Sequence, residues 1–295
     1  MKHVKLDEKS LRLRAILMMT LAIVVFSCLD ATAKYLVQVE KLPVMQAIWL
    51  RFVGHVILAI IFFGPRNVPA LMKCTQPLQQ WLRGLLLLGA TAFNFAAVEY
   101  LRLDQTASIF FLTPLIVAAL AGPILGEWIG WRRLVAITFG FWGVLLVVRP
   151  GFGGIHWAIM YSFAATLSYA LYNIWTRWLV GRDPENVTQF YSPLAGLIVM
   201  APLALYSWQT PASALIWFLI ALMGVLGGIG HWLLIKAHQF APAPILAPFI
   251  YTGIIAMTAL GYLIFGDVPD MWTLGGASII ISSGLYLLYR ERIER

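Results

Sequence analysis

The chain has 295 residues, of which 61% are hydrophobic and 12% charged, and its mean hydropathy is +0.82. Soluble domains run about 45–50% apolar and about 25% charged, so a soluble enzyme is excluded, and so is a nucleic-acid-binding protein despite a net charge of +8. A lipid bilayer suits this composition, and unbroken apolar runs such as 85–98 and 134–148 exclude a barrel of short alternating strands.

The expected fold class is an all-α polytopic membrane protein with ten transmembrane helices of about 20 residues each. In chain order they fall at 14–37, 43–63, 79–101, 105–125, 131–149, 155–179, 187–207, 213–236, 243–265 and 271–289. The breaks carry turn chemistry: Leu42-Pro43, Gly64-Pro65, Arg149-Pro150-Gly151, Asp183-Pro184, Thr210-Pro211 and Asp267-Val268-Pro269-Asp270. The loops between are too short for a soluble domain. Residues 1–33 also have the outline of a signal peptide, ending on Ala31-Thr32-Ala33, but the internal repeat requires this stretch as the first span. Cys28 lies inside that span and Cys74 in the next cytoplasmic loop, so neither a disulfide nor a zinc site is expected.

With the N-terminus inside, only Lys34, Lys41, Arg51, Arg102 and Arg149 fall outside; the other 16 of the 21 basic residues fall inside. The positive-inside rule then places both termini in the cytoplasm of a bacterial-type inner membrane.

Two stretches 140 residues apart resemble each other. Ala107–Val148 contains Pro114, Gly126-Glu127 and Gly143; Ala247–Leu288 contains Pro248, Gly266-Asp267 and Gly284. Lys34-Tyr35-Leu36 closes span one as Arg177-Trp178-Leu179 closes span six. The halves are therefore 1–150 and 151–295. Five spans per half is odd, so the second copy runs inverted. The charges agree, because the turn after span four has Arg132 and Arg133, while its counterpart has Asp267 and Asp270 and no base. Inverted repeats enclosing a midplane site are a recurrent design of secondary transporters.

The stretch ASIFFLTPLIVAALAGPILGEWIGWRRLVAITFGFWGVLLVV resembles the signature of EamA-type transporters of the drug/metabolite transporter superfamily. The second half shows a weaker version, with Gly-Asp in place of Gly-Glu. The resemblance implies ten spans, a solute cavity between the halves and export of amino acids or other small metabolites. Within the superfamily the general likeness is greatest to aromatic-amino-acid exporters.

Charges inside a bilayer cost several kcal/mol unless paired or hydrated, so each marks a candidate site. Asp30 and Arg51 both lie roughly 12 Å below the outer face at 1.5 Å per residue. They are a candidate ion pair, with Lys34 a rival for Asp30 and Glu99 a further member. His55 is one turn from Arg51. This set, Asp30, Arg51, His55 and Glu99, reads either as an architectural lock or as a solute or proton site. His55 and His231 are candidate proton relays, or else histidines hydrogen-bonded to their neighbours. Asn94 corresponds to His231 under the repeat, and two polar residues at matching mid-span positions point to a cavity. Span six carries an aromatic and polar stripe through Tyr161, Ser168, Tyr169, Tyr172 and Thr176, with Asn173 nearby. It suits either a wet cavity for flat amphipathic solutes or an interfacial aromatic belt.

The expected substrate cavity thus comprises Asn94, Phe111, Tyr169, Tyr172, Asn173, His231, Trp232 and Tyr251. Pro114, Pro244 and Pro248 interrupt spans four and nine as hinges or as static kinks. No Walker motif, cofactor motif or catalytic set is present, so neither ATP drive nor a cofactor is expected. The expected partners are a small-molecule substrate and the lipid bilayer, with the chain acting as a monomer. The competing readings are a gated small-molecule channel, a multidrug or metabolite exporter not specific for amino acids, and an intramembrane enzyme.

Overall fold

The computed structural model describes residues 8–101, 103–110, 112–148, 157–268 and 270–293. Every regular element among them is helical. Helix α1 (Glu8–Lys34) continues into a π-helical turn, Tyr35–Val39. Helix α2 (Val44–Phe63) is followed by a 3-10 turn, Pro65–Asn67, and the short α3 (Val68–Leu71). Next come α4 (Pro77–Tyr100), α5 (Leu103–Phe110), α6 (Thr113–Leu125) and α7 (Trp131–Val148). The later residues form α8 (Ile159–Leu179), α9 (Glu185–Tyr191), α10 (Leu194–Tyr206) and α11 (Ala214–Phe240). The chain continues through α12 (Ala243–Leu246), a 3-10 stretch (Ala247–Thr252), α13 (Gly253–Phe265) and α14 (Met271–Ile293). The Arg149-Pro150-Gly151 break, Arg102 and Pro269 lie outside the described residues.

Where its residues are described, each expected stretch is mainly helical, but three are built from pieces. The fourth divides into α5 and α6, with Pro114 in the first turn of α6, where a missing N–H costs no helical bond. The ninth begins with α12 and the 3-10 stretch, and Pro244 and Pro248 occupy their first turns. Each of these prolines therefore starts a new piece rather than bending a continuous one. The seventh also breaks, at Ser192-Pro193, between α9 and α10. Its apolar pattern concealed that break, although Pro193 cannot donate the bond that would continue α9. Among the described residues six helical stretches are long and apolar enough to cross a membrane: Ser10–Val39, Val44–Phe63, Pro77–Tyr100, Glu185–Tyr206, Ala214–Phe240 and Ala243–Phe265. Large apolar side chains, among them Ile61, Phe62, Phe139 and Leu263, face outward. Lipid is the environment that accepts such a surface.

The packing is regular. Helix α1 lies against α11 and α13, and α8 lies against α4 and α6. Helix α7 pairs with α14, and α2 packs on both α10 and α11. Where α2 crosses α11, a Cβ on Gly54 would sit 2.8 Å from the Gly224 Cα. Only glycine on both helices allows this approach, the small-residue contact typical of membrane bundles. The ends of α6 and α13 are closed alike. Gly126 at φ 73° and Gly266 at φ 71° take the left-handed conformation that terminates each helix. The Gly126 N–H bonds Gly122 O and the Glu127 N–H bonds Ala121 O; the Gly266 N–H bonds Tyr262 O and the Asp267 N–H bonds Gly261 O.

Candidate functional site

The helix crossings leave a cavity of about 60 Å³ in the middle of the bundle. Its polar wall consists of Asp30 and Ser27 from α1, Arg51 from α2, Thr91 and Asn94 from α4, Tyr169 from α8 and His231 from α11. Phe26, Phe95 and Phe110 supply aromatic surface, and Ile250, Gly253 and Met257 close the side toward α13. Residues from both 1–150 and 151–295 thus line one space, which holds only a few waters in this conformation.

Asp30 and Arg51 share the cavity without forming the expected ion pair. Asp30 Oδ1 accepts from Asn94 Nδ2 at 2.9 Å. Arg51 Nη1 donates to Thr91 Oγ1 at 2.7 Å, and its Nη2 lies 3.1 Å from His231 Nε2. Each charge has found a neutral partner on a neighbouring helix, and so the two remain apart. The Arg51 Nε is buried with no hydrogen-bond partner. It lies against Gly227, where a Cβ would be 3.7 Å away, so this glycine provides room for the guanidinium.

A second layer stands behind the wall. His231 Nδ1 lies 3.0 Å from the Tyr172 hydroxyl, which accepts from Arg83 Nη2 at 2.5 Å. Arg83 is completely buried. Its Nε donates to Thr176 Oγ1 at 2.7 Å, and its Nη1 donates to Ser192 Oγ at 2.7 Å and Thr188 O at 3.2 Å. The guanidinium carbon sits 4.4 Å from the Tyr172 ring centre. Gln80 bonds both Thr188 and Asp183, and Asp183 also accepts from the backbone and hydroxyl of Thr75. Asp183 lies in the α8–α9 connection. Partial burial works to raise its pKa, but the hydrogen bonds from Thr75 and Gln80 outweigh that and hold the carboxyl below the usual range.

The structure sorts the expected site residues into three places. Asn94, Tyr169, His231, Asp30 and Arg51 line the cavity. Tyr172, His55 and Asn173 lie behind it. His55 is stacked on His231 at 5.5 Å between ring centres and contacts Gln189 Nε2 at 3.1 Å. Asn173 Nδ2 donates back to Tyr169 O within its own helix. The others are elsewhere. Glu99 lines a separate hollow with Gln38, Lys41 and Gln209, because it sits more than one turn beyond Asn94 on α4 and faces the end of the bundle. Tyr251 packs against Gly140 and donates to Ile137 O of α7, since the 3-10 geometry turns it away and presents Ile250 instead. Trp232, next to His231 on α11, is turned by the helical step into apolar packing. Phe111 lies outside the described residues.

Sequence reasoning missed Arg83, Thr91, Gln80 and Gln189. Arg83 is one of the 16 basic residues that the charge count places inside, and near the start of α4 it has the sequence context of an orientation charge. The available signal was its spacing from Gln80, which puts both on one helical face.

The EamA-like transporter family model matches residues 13–149 and again 156–290. The chain is 30% identical over 292 residues to the S-adenosylmethionine uptake transporter of Rickettsia prowazekii (strain Madrid E), covering 97% of this chain and 96% of that protein. It is 24% identical to the riboflavin transporter of Vibrio cholerae serotype O1, covering 96% of each. A solved crystal structure superposes with a TM-score of 0.76 at 16% identity, over 96% of this chain and 100% of the other, so the fold is shared. These relatives are not specifically aromatic-amino-acid exporters, as the narrower likeness had implied.

Proposed function

This chain belongs to the EamA-like transporter family, which makes it a multi-pass membrane transporter and not an enzyme, and on that premise we propose that it carries small zwitterionic metabolites bearing an amino-acid head group. S-adenosylmethionine is the first candidate, ahead of free aromatic amino acids. The observation that carries this reading is the cavity itself: a carboxylate, Asp30, and a guanidinium, Arg51, face one space and are not paired with each other. A zwitterion offers the complement to both charges. The aromatic wall suits an adenine or other flat group, and a sulfonium or ammonium attracts aromatic faces as well as carboxylates. The full-length similarity to an S-adenosylmethionine uptake transporter supports this choice.

In this reading ten helical stretches cross the membrane as two inverted repeats, 1–150 and 151–295, with both termini cytoplasmic. Three observations support it. The family model matches twice. The ends of α6 and α13 carry the same bonds 140 residues apart. Exchanging the halves also maps the packing of α1 on α11 and α13 onto that of α8 on α4 and α6. The two halves rock about the cavity by alternating access, with the α5–α6 break and the α12–α13 stretch as hinges. A cavity of about 60 Å³ is smaller than such a solute, so admission requires this motion.

The test is counterflow in proteoliposomes preloaded with S-adenosylmethionine, riboflavin or an aromatic amino acid. A carrier accelerates uptake of labelled solute when the same solute is inside; a channel shows no such acceleration. Absence of S-adenosylmethionine and amino-acid flux above empty liposomes would remove the substrate reading. Full activity in Pro114→Ala and Pro248→Ala would remove the hinge role.

A further inference from the structure

The bonds around His231 fix its chemistry. A guanidinium has five N–H donors and no acceptor. Arg51 Nη2, at 3.1 Å from His231 Nε2, must therefore donate, and that nitrogen must carry a lone pair. The ring proton is then on Nδ1, where it points to the Tyr172 oxygen at 3.0 Å. Tyr172 is in turn held by Arg83 Nη2 at 2.5 Å. Protonating His231 on both nitrogens would set a donor against the Arg51 donor and add a third positive charge beside Arg51 and Arg83.

Charge balance adds a second observation. Among the described residues neither Arg51 nor Arg83 bonds a carboxylate: their acceptors are Thr91, His231, Tyr172, Thr176, Ser192 and the Thr188 carbonyl. Asp30 faces the cavity but gives its bond to Asn94. Two buried guanidinium groups thus share the bundle with one cavity carboxylate. A buried cation without a bonded anion is costly, and at the cavity wall a solute can relieve it.

We infer that Arg51 is the receptor for a substrate carboxylate and that His231, Tyr172 and Arg83 are positioning residues that orient it, with His231 acting as a fixed neutral acceptor and not as a proton relay. The inference deepens the proposed transport of amino-acid-bearing solutes and rests on the cavity being their site. It divides the recognition: the carboxylate goes to Arg51, the cationic part to Asp30 and the aromatic wall.

The experiment measures ligand binding by purified full-length protein, using pairs that differ at the carboxyl group. The pairs are S-adenosylmethionine with its decarboxylated analogue, methionine with methioninamide, and phenylalanine with phenylalaninamide. A charge-assisted hydrogen bond contributes enough that at least one acid should bind about tenfold or more tightly than its partner. Arg51→Gln should erase that preference. A glutamine side chain supplies an acceptor oxygen and a donor NH2 group but cannot titrate. His231→Gln should therefore keep most of the preference, while His231→Leu and Tyr172→Phe lose it. Melting temperatures of each variant separate a lost site from a lost fold. Equal binding within every pair, no binding by any acid, retained preference in Arg51→Gln, or a His231→Gln protein as defective as His231→Leu would each overturn the inference. Acids that bind but are not carried would leave the carboxylate site standing and remove the transport reading. Solutes carried without any acid preference would do the reverse.

Discussion

Two buried arginines from the first half of the chain are treated in opposite ways. Arg83 is bonded at every nitrogen: all three donate, to partners on α8, on α9 and at the α9–α10 break. It lies outside the cavity lining and is fully enclosed. Arg51 is held at two nitrogens, its Nε has no partner, and it forms part of the cavity wall. A buried ion bonded at every nitrogen and enclosed away from the cavity is out of a ligand's reach and fastens the helices around it. A partly satisfied one at a cavity keeps bonding capacity for a solute. The region around Arg83 is thus the foundation and the region around Arg51 the working face, joined through Tyr172 and His231.

The largest expected effect breaks the foundation. Arg83→Ala removes the guanidinium donors to the hydroxyls of Tyr172, Thr176 and Ser192 and to the Thr188 carbonyl, and opens a void. Losing several charge-assisted bonds at once should cost about 3–5 kcal/mol, read as a large fall in melting temperature and poor recovery from the membrane. Arg51→Gln should invert the pattern. It gives up two bonds but also removes a buried charge, so the stability change should be about 1 kcal/mol, with ligand affinity taking the main loss. If both variants lose stability equally, the division between foundation and working face is wrong.

Much of the fold was legible because lipid imposes a strict rule: apolar runs of sufficient length must be helices. The breaks at Pro114 and at Pro244–Pro248 were legible for the same local reason. The break at Ser192-Pro193 was not, because the apolar pattern continues through it. Single buried charges were found by their cost, which brought Asp30 and Arg51 to notice. Their partners were not, since whether Asp30 meets Arg51 or Asn94 depends on how α1, α2 and α4 are rotated about their axes. Arg83 shows the limit most clearly. Near a helix start, an arginine that extends to the interface and one enclosed by acceptors on α8 and α9 have the same sequence context.

A smaller effect is expected at the end of α6, where an ion pair links Glu127 to Arg177 of α8 without entering either arginine region. Glu127 Oε1 meets Arg177 Nε at 2.5 Å, and Glu127 Oε2 accepts from the Ala243 N–H at the start of α12. Arg177 Nη1 also donates to His238 O. Both side chains are partly exposed, so Glu127→Gln should lower stability by about 1 kcal/mol or less. Salt should narrow the gap between wild type and variant, because exposed pairs are screened. A gap unchanged between low salt and 1 M NaCl would place this pair with the enclosed contacts around Arg83.

The smallest effect concerns the outer edge of the foundation, where Asp183 ties Gln80 and the Thr75 segment to the α8–α9 connection. Its pKa in the folded chain is below the usual value, because the bonds from Thr75 and Gln80 to the ionised form outweigh the opposing effect of partial burial. The unfolded chain, with a carboxyl near its ordinary value of 3.8, binds the proton more readily. The contribution is therefore fully present above that unfolded value and disappears as pH falls through the lower folded one. Asp183→Asn should be less stable than wild type by a constant margin from pH 7 to about pH 5. The margin should shrink only as the pH drops below about 4, within the range where the wild-type carboxyl takes up its proton. A margin that closes already between pH 7 and pH 5 would mean that a different group links this edge to the arginine layer.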